Sequence, residues 1–320
     1  MRAPILFTAV LGLLVAGRSA HAECYGGKHL EQVIGVASDG TTVIRTFEDV
    51  EAGGFTQTTF HVLGPDAKER AAFERCEGEC EGGERPAIWV SRGEPALLAQ
   101  VTVSDTTGDA QVEKALRAAL ALKRPDRGKK LVVRDADDDG EYQDLRDGPL
   151  TLFSVHSTMA YEIQRPLRFH ATLAAPPASP FAYLTYGYRD RCTAGESYVG
   201  RTVVENVILV PPARREAAAA VARGLRALRK RPADAAKELT RALTLEPRDR
   251  TALRLLATAL FAAKVPWAEA KVTLDGLPIV RATPWQPCSG LATFPNYDDV
   301  WEDYGDWLSA RLDALGCDAR

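Results

Sequence analysis

The chain has 320 residues, of which 46% are hydrophobic and 26% charged, with a formal net charge of −3. That length corresponds to roughly two domains, and the apolar content suffices for ordinary cores. The mildly acidic balance gives no reason to expect nucleic-acid binding, which requires a basic face.

Residues 1–22 have the layout of a secretory leader. Arg2 supplies the positive start, Ala3 to Ala16 is an uncharged apolar run, and Ala20-His21-Ala22 puts small residues at both recognition positions of a signal-peptidase site. The expected cut follows Ala22. Losing Arg2 and Arg18 with the leader moves the net charge from −3 to −5. The apolar run is shorter than the ~20 residues a helix needs to span a bilayer, so no membrane span is expected. A periplasmic or secreted product is expected, and the Ala- and Arg-rich composition points to a bacterial chain.

Export changes how the six cysteines are read. Cys24, Cys76, Cys80, Cys192, Cys288 and Cys317 all follow the leader, and an even number in an oxidising compartment implies three disulfides among 15 possible pairings. Cys288 with Cys317 is the favoured pair, because they bracket one C-terminal segment. Cys76 and Cys80 form either a small local loop or two separate anchors.

Residues 23–212 read as a β-rich domain with one helix. Val33 to Ala37 and Thr41 to Phe47 flank the hairpin turn Ser38-Asp39-Gly40, and Gly53-Gly54 leads into a strand over Phe55 to Leu63. A helix is expected from Ala110 to Leu122, with Asp109 as its N-cap and Val112, Leu116, Ala119 and Leu120 on one face. The cation-rich run 123–130 reads as a solvated loop. Further strands are expected at Leu131 to Arg134, Leu150 to Ser154, Met159 to Gln164, Leu167 to Ala174, Phe181 to Thr185 and Val203 to Val210. Pro211-Pro212 then closes the domain, since neither residue can continue a ladder.

The sharpest polar motif lies between two of those strands. Asp135, Asp137 and Asp139 alternate before Gly140, followed by Glu141 and Gln143. Carboxylates so spaced before a glycine can wrap a hard cation, with the Glu141 carbonyl as a further ligand. The run resembles the calcium loops of exported bacterial proteins and the start of an EF-hand loop. Arg146 stands where an EF-hand needs glutamate, and Gln143 stands where the shorter loops place an acid. A structural calcium ion or a plain acidic turn are the two readings. Gly195 to Gly200, around Ser197, resembles the nucleophile box of serine carboxypeptidases. That order requires a histidine after the serine, and His29, His61, His156 and His170 all precede it. No catalytic residue is therefore expected. The four histidines show no metal spacing.

From Ala213 the composition shifts to alanine, leucine and arginine at helical spacing. Ala235, Leu239, Ala242 and Pro247 are followed by Leu253, Leu256, Ala257 and Leu260. This resembles the tetratricopeptide repeat family, in which small residues let antiparallel helices approach closely and a proline ends the second helix. The likeness covers residues 214–277 as two units, with leucines at the usual tryptophan and tyrosine positions. It implies a protein-binding role, with Thr251, Arg254, Thr258 and Phe261 on the positions that line a groove for another protein or peptide. Two units are fewer than the roughly three such arrays need, so residues 279–320 are expected to supply a cap. There Trp301, Tyr304, Leu308, Leu312 and Leu315 form one helical stripe, to which Trp285 and Trp307 add.

The expected architecture is α+β, a β-rich domain (23–212) followed by a short all-α helical domain (213–278) and a capping segment (279–320). The expected function is that of an exported, non-enzymatic protein whose helices mediate protein contacts. The alternatives are a calcium-supported module for a glycan or small ligand, and a hydrolase with an unrecognised site.

Overall fold

The computed structural model describes residues 27–50, 54–80, 83–104, 106–136, 142–156, 168–194, 198–290 and 301–317. It is mixed α+β. The leader, Met159 to Gln164, Ser197 and the centre of the acidic motif lie outside the described residues.

The chain opens with five antiparallel strands, β1 (Gly27–Val36), β2 (Thr42–Val50), β3 (Phe55–Leu63), β4 (Glu69–Cys80) and β5 (Gly83–Gly93). The first turn forms where expected. The Asp39 carboxylate accepts the Thr41 N–H at 2.9 Å, and Gly40 supplies the positive φ of 86°. β4 and β5 run through a stretch whose charges hide its pattern. Among their described side chains the buried ones are Ala71, Ala72, Phe73, Cys80 and Trp89, and charges pair across the ladder, as Arg92 does with Glu74 at 3.0 Å.

A short helix α1 (Pro95–Leu98) and then α2 (Asp109–Ala119) cover one face of these strands. Among the described residues the β-rich half therefore has two helices where one was expected. Val112 and Leu116 of α2 are buried against Ile34, Val43, Phe60 and Phe73. Asp109 does not cap α2. Gly108 is the N-cap, and the Gln111 side chain accepts its N–H at 3.0 Å. Asp109 is drawn instead to the sheet, where it accepts from Thr58 at 2.8 Å and pairs with Arg45 at 3.2 Å.

The cation-rich run ends in a short edge strand, β6 (Lys129–Lys130), rather than remaining loop throughout. A separate three-stranded sheet follows, β7 (Val132–Asp135), β8 (Tyr142–Asp147) and β9 (Leu150–His156). β8 occupies what the sequence presented as one long turn. Its registration pairs Asp135 with Gln143. β10 (Arg168–Ala174), β11 (Ala182–Ala194) and β12 (Tyr198–Val210) complete the nine-stranded sheet, in the order β5-β4-β3-β2-β1-β12-β11-β10-β6. β1 lies parallel to β12 as far as Leu30 and Glu205. Just beyond, the Glu31 carboxylate accepts the Val207 N–H at 2.7 Å, taking the place of a ladder bond.

Five helices follow: α3 (Arg214–Leu228), α4 (Pro232–Leu245), α5 (Arg250–Ala262), α6 (Trp267–Asp275) and α7 (Tyr304–Leu315). Ala235, Leu239, Ala242, Leu253, Leu256, Ala257 and Leu260 are all buried in one core. Gly224 shows how closely α3 and α4 approach, since a Cβ added there would meet Leu239 Cγ at 2.7 Å. α7 closes this core with Tyr304, Leu308, Leu312 and Leu315. Cys288 is bonded to Cys317 with a Cα–Cα distance of 5.7 Å, and Cys76 to Cys80 with 6.2 Å. Cys24 and the side chain of Cys192 lie outside the described residues. Among the described residues no helix is long and apolar enough to cross a membrane.

Trp307 joins the cap, donating its indole N–H to Asp275 at 2.8 Å. Trp285 does not. It lies edge-on to His61 at 5.1 Å between ring centres, among Ile44, Leu63, Tyr183 and Leu209, and its carbonyl accepts the Leu209 N–H at 2.7 Å. The segment after α6 thus reaches back onto the large sheet.

Candidate functional site

The helical unit carries two distinct surfaces. The first is the outer side of α5, where the repeat likeness put Thr251, Arg254, Thr258 and Phe261. Thr258 and Phe261 are exposed, Phe261 by 44%. The Phe261 ring stands perpendicular to Trp301 at 5.4 Å, and Trp301 in turn packs on Trp267 at 5.3 Å. Arg254 is buried, and Thr251 is half-buried against the backbone of Gly290. Ser289 and Gly290 therefore cover the start of α5, and the adjacent Cys288–Cys317 disulfide ties them to the cap.

The second surface is a cleft of about 400 Å³ between the last turns of α3 and the first turns of α4. Arg223, Arg226, Ala227, Arg231, Asp234, Lys237 and Glu238 line it. Arg223 pairs with Glu238 at 2.9 Å and Arg231 with Asp234 at 3.4 Å. Arg226 and Lys237 are exposed and pair with no carboxylate among the described residues. Sequence reading singled out none of these residues. The legible signal was the run of cations at 223, 226, 229, 230 and 231, whose 3-residue spacing repeats along one side of α3.

The ends of the acidic motif are brought together by β7 and β8. The Gln143 amide donates to Asp135 Oδ1 at 2.8 Å, and Ala136 N–H donates to the Tyr142 carbonyl at 2.8 Å. Asp137, Asp139 and Glu141 lie outside the described residues. Among the described residues no cluster of three metal-ligating side chains occurs.

Two histidines sit in polar networks on the large sheet. His61 Nδ1 lies 2.6 Å from Glu69 Oε2, and its Nε2 lies 3.4 Å from Thr46 Oγ1. A carboxylate, an imidazole and a hydroxyl in that order can relay a proton. Thr46 is only 7% exposed, so no solvent-borne substrate meets its hydroxyl in this conformation. The hydrogen bond from His61 holds the Glu69 carboxyl below its ordinary range, against a weaker opposing effect of burial. Near the start of β1, His29 lies 3.5 Å from Glu31 and 3.3 Å from Glu48. Burial alone would lower its pKa. The hydrogen bonds to the two carboxylates outweigh that and carry it up to about 9.

The chain matches no protein-family model, no curated protein and no solved structure.

Proposed function

We propose that the protein is an exported, non-enzymatic binding protein whose helical unit makes contact with another protein. One observation carries this reading. Among the described residues eight large hydrophobic side chains are exposed, and five of them belong to the helical unit: Leu225, Phe261, Val272, Ile279 and Val280. Val272 is 73% exposed and Ile279 58%. Burying such groups against a partner is favourable by about 25 cal/mol per Å² of apolar surface. The two disulfides fit an oxidising compartment, and the cap gives the helices a fixed shape, which lowers the entropy lost on association. The four-helix succession and its buried alanines support a tetratricopeptide-like arrangement.

The test uses the oxidised full-length chain as bait in an envelope extract, beside a Val272→Asp/Ile279→Asp variant. The reading expects specific proteins retained by the wild-type chain and lost from the variant, with the variant's melting temperature unchanged. Identical profiles for the two baits would remove the helical unit as the contact surface.

A further inference from the structure

We infer that the cleft between α3 and α4 takes an extended acidic segment of a partner protein. The inference rests on the protein-binding reading above and names the chemistry of what is bound. Residues 223–238 carry six cations (Arg223, Arg226, Arg229, Lys230, Arg231 and Lys237) against Asp234 and Glu238, within a chain whose total is −3. The two acids are already matched by Arg223 and Arg231. In the lining of the cleft that leaves Arg226 and Lys237 without a carboxylate partner among the described residues, and their positive field raises the local concentration of anionic groups.

Helix stability accounts for only part of this charge. Arg226 and Arg229 end α3, where cations suit the helix dipole. Arg231 is the N-cap of α4 and makes no side-chain capping bond, at a position where an acceptor side chain stabilises best and a cation opposes the dipole. Four cations in the six residues 226–231 also repel one another across a short turn. Of these, Arg226 and Arg231 line the cleft, so an anionic ligand held there relieves part of that repulsion.

The lining favours a peptide over a membrane surface. A bilayer is flat and would meet the rim, leaving Asp234 and Glu238 inside the cleft beside its anionic headgroups. A peptide in extended conformation presents carboxylates to Arg226 and Lys237 and backbone N–H groups to the two acids. Guanidinium groups bind carboxylates in a planar, two-bonded geometry, which adds direction to the attraction.

The experiment measures fluorescence anisotropy of a labelled peptide of alternating Glu and Gly on the oxidised full-length protein. A peptide of alternating Gln and Gly and phosphatidylserine vesicles are run in parallel. The Glu peptide is expected to bind, to weaken with added salt, and to lose about tenfold or more in affinity on Arg226→Glu/Lys237→Glu, equivalent to about 1.4 kcal/mol. Lys114→Glu, an exposed cation on α2 far along the chain, should leave it unchanged. Equal binding of the Gln peptide, equal loss in the Lys114→Glu control, or binding of vesicles alone overturns the inference. This measurement needs no natural partner. A failed peptide assay beside a successful extract capture therefore removes the cleft and leaves the protein-binding reading standing.

Discussion

Arg214 and Asp249 form a buried ion pair at 2.9 Å, with side chains only 3% and 7% exposed, where the helical unit meets the small sheet. Each partner does more than neutralise the other. Arg214 also donates to the Leu152 carbonyl of β9 and to Ser289 Oγ at 2.7 Å, and its guanidinium sits 4.6 Å from the Phe153 ring centre. Asp249 caps α5 by accepting the Ala252 N–H at 2.9 Å. One arginine thus ties β9, the start of α5 and the segment after α6 to the first turn of α3.

Removing one member of such a pair leaves the other charged and dry. Arg214→Met should cost about 3–5 kcal/mol in denaturant unfolding. Asp249→Asn keeps a capping oxygen and removes the charge. The double variant Arg214→Met/Asp249→Asn should therefore be more stable than Arg214→Met alone. Additive losses would mean that the two side chains act independently.

Gly224→Ala isolates the close approach of α3 and α4. Alanine favours a helix over glycine by about 1 kcal/mol, so an open position would be stabilised. Here the new methyl would meet Cγ of Leu239, a fully buried side chain, at 2.7 Å. Overpacking of this kind costs about 1–3 kcal/mol, and the net change should be destabilising. A raised melting temperature would show that the helices separate without penalty.

The helical half was legible because its pattern is local. Buried alanines and leucines at 3- and 4-residue spacing locate α3 to α6, and the bracketing cysteines locate the cap and its disulfide. The sheet was legible where strands alternate cleanly, as at β1 to β3. It was hidden at β4 and β5, whose Arg and Glu side chains pair across the ladder instead of pointing to an apolar core. β8 was hidden for the same reason, since Asp144 and Asp147 read as loop. Asp144 accepts from Ser154 of the neighbouring β9 at 2.6 Å, and Asp147 pairs with Lys129 of β6, in the larger sheet, at 2.5 Å. The cleft was invisible as a site because its lining comes from two helices, and only their packing brings Arg223 and Arg226 of α3 beside Lys237 of α4. Trp285 is expected to add to the cap, whereas the chain folds it back onto His61, a contact no local pattern signals.

The disulfides should differ in their contributions. Cys288–Cys317 closes a loop with a sequence separation of 29, and the chain-entropy argument gives about 3–4 kcal/mol for it. Cys76–Cys80 spans a separation of only 4 within one strand, and the same argument gives about 2 kcal/mol. Cys288→Ser/Cys317→Ser should lower the melting temperature more than Cys76→Ser/Cys80→Ser. The reverse order would mean that the cap is held by its apolar contacts alone.

The acidic loop offers a metal-removal test. β7 and β8 are joined at its neck by the Gln143–Asp135 side-chain bond and the Ala136–Tyr142 backbone bond, both at 2.8 Å. These bonds close the neck of the hairpin through protein atoms, so any calcium held by Asp135, Asp137, Asp139, Glu141 and Gln143 would add to a neck already joined. EDTA should leave the far-ultraviolet circular dichroism unchanged. Loss of strand signal with EDTA, restored by calcium, would make the ion a requirement for the small sheet.

His29 sets a pH dependence whose sign follows from its neighbours. Its pKa rises from an ordinary 6.5 to about 9 in the folded protein, because Glu31 and Glu48 favour the imidazolium more than burial disfavours it. A group whose folded pKa is raised stabilises fully below its unfolded pKa, and the contribution fades as pH rises through the folded value. The window is therefore about 6.5 to 9, and the upper bound on the effect is about 3 kcal/mol at 1.36 kcal/mol per unit. The loss should fall at the seam where Glu31 also accepts the Val207 N–H, so β1 and β12 are the strands to loosen. Denaturant unfolding at both ends of the window should show the wild-type chain losing more stability than His29→Gln, which carries no titrating ring. Parallel losses in the two proteins would place the pH dependence on other groups and leave the two carboxylates with no net hold on His29.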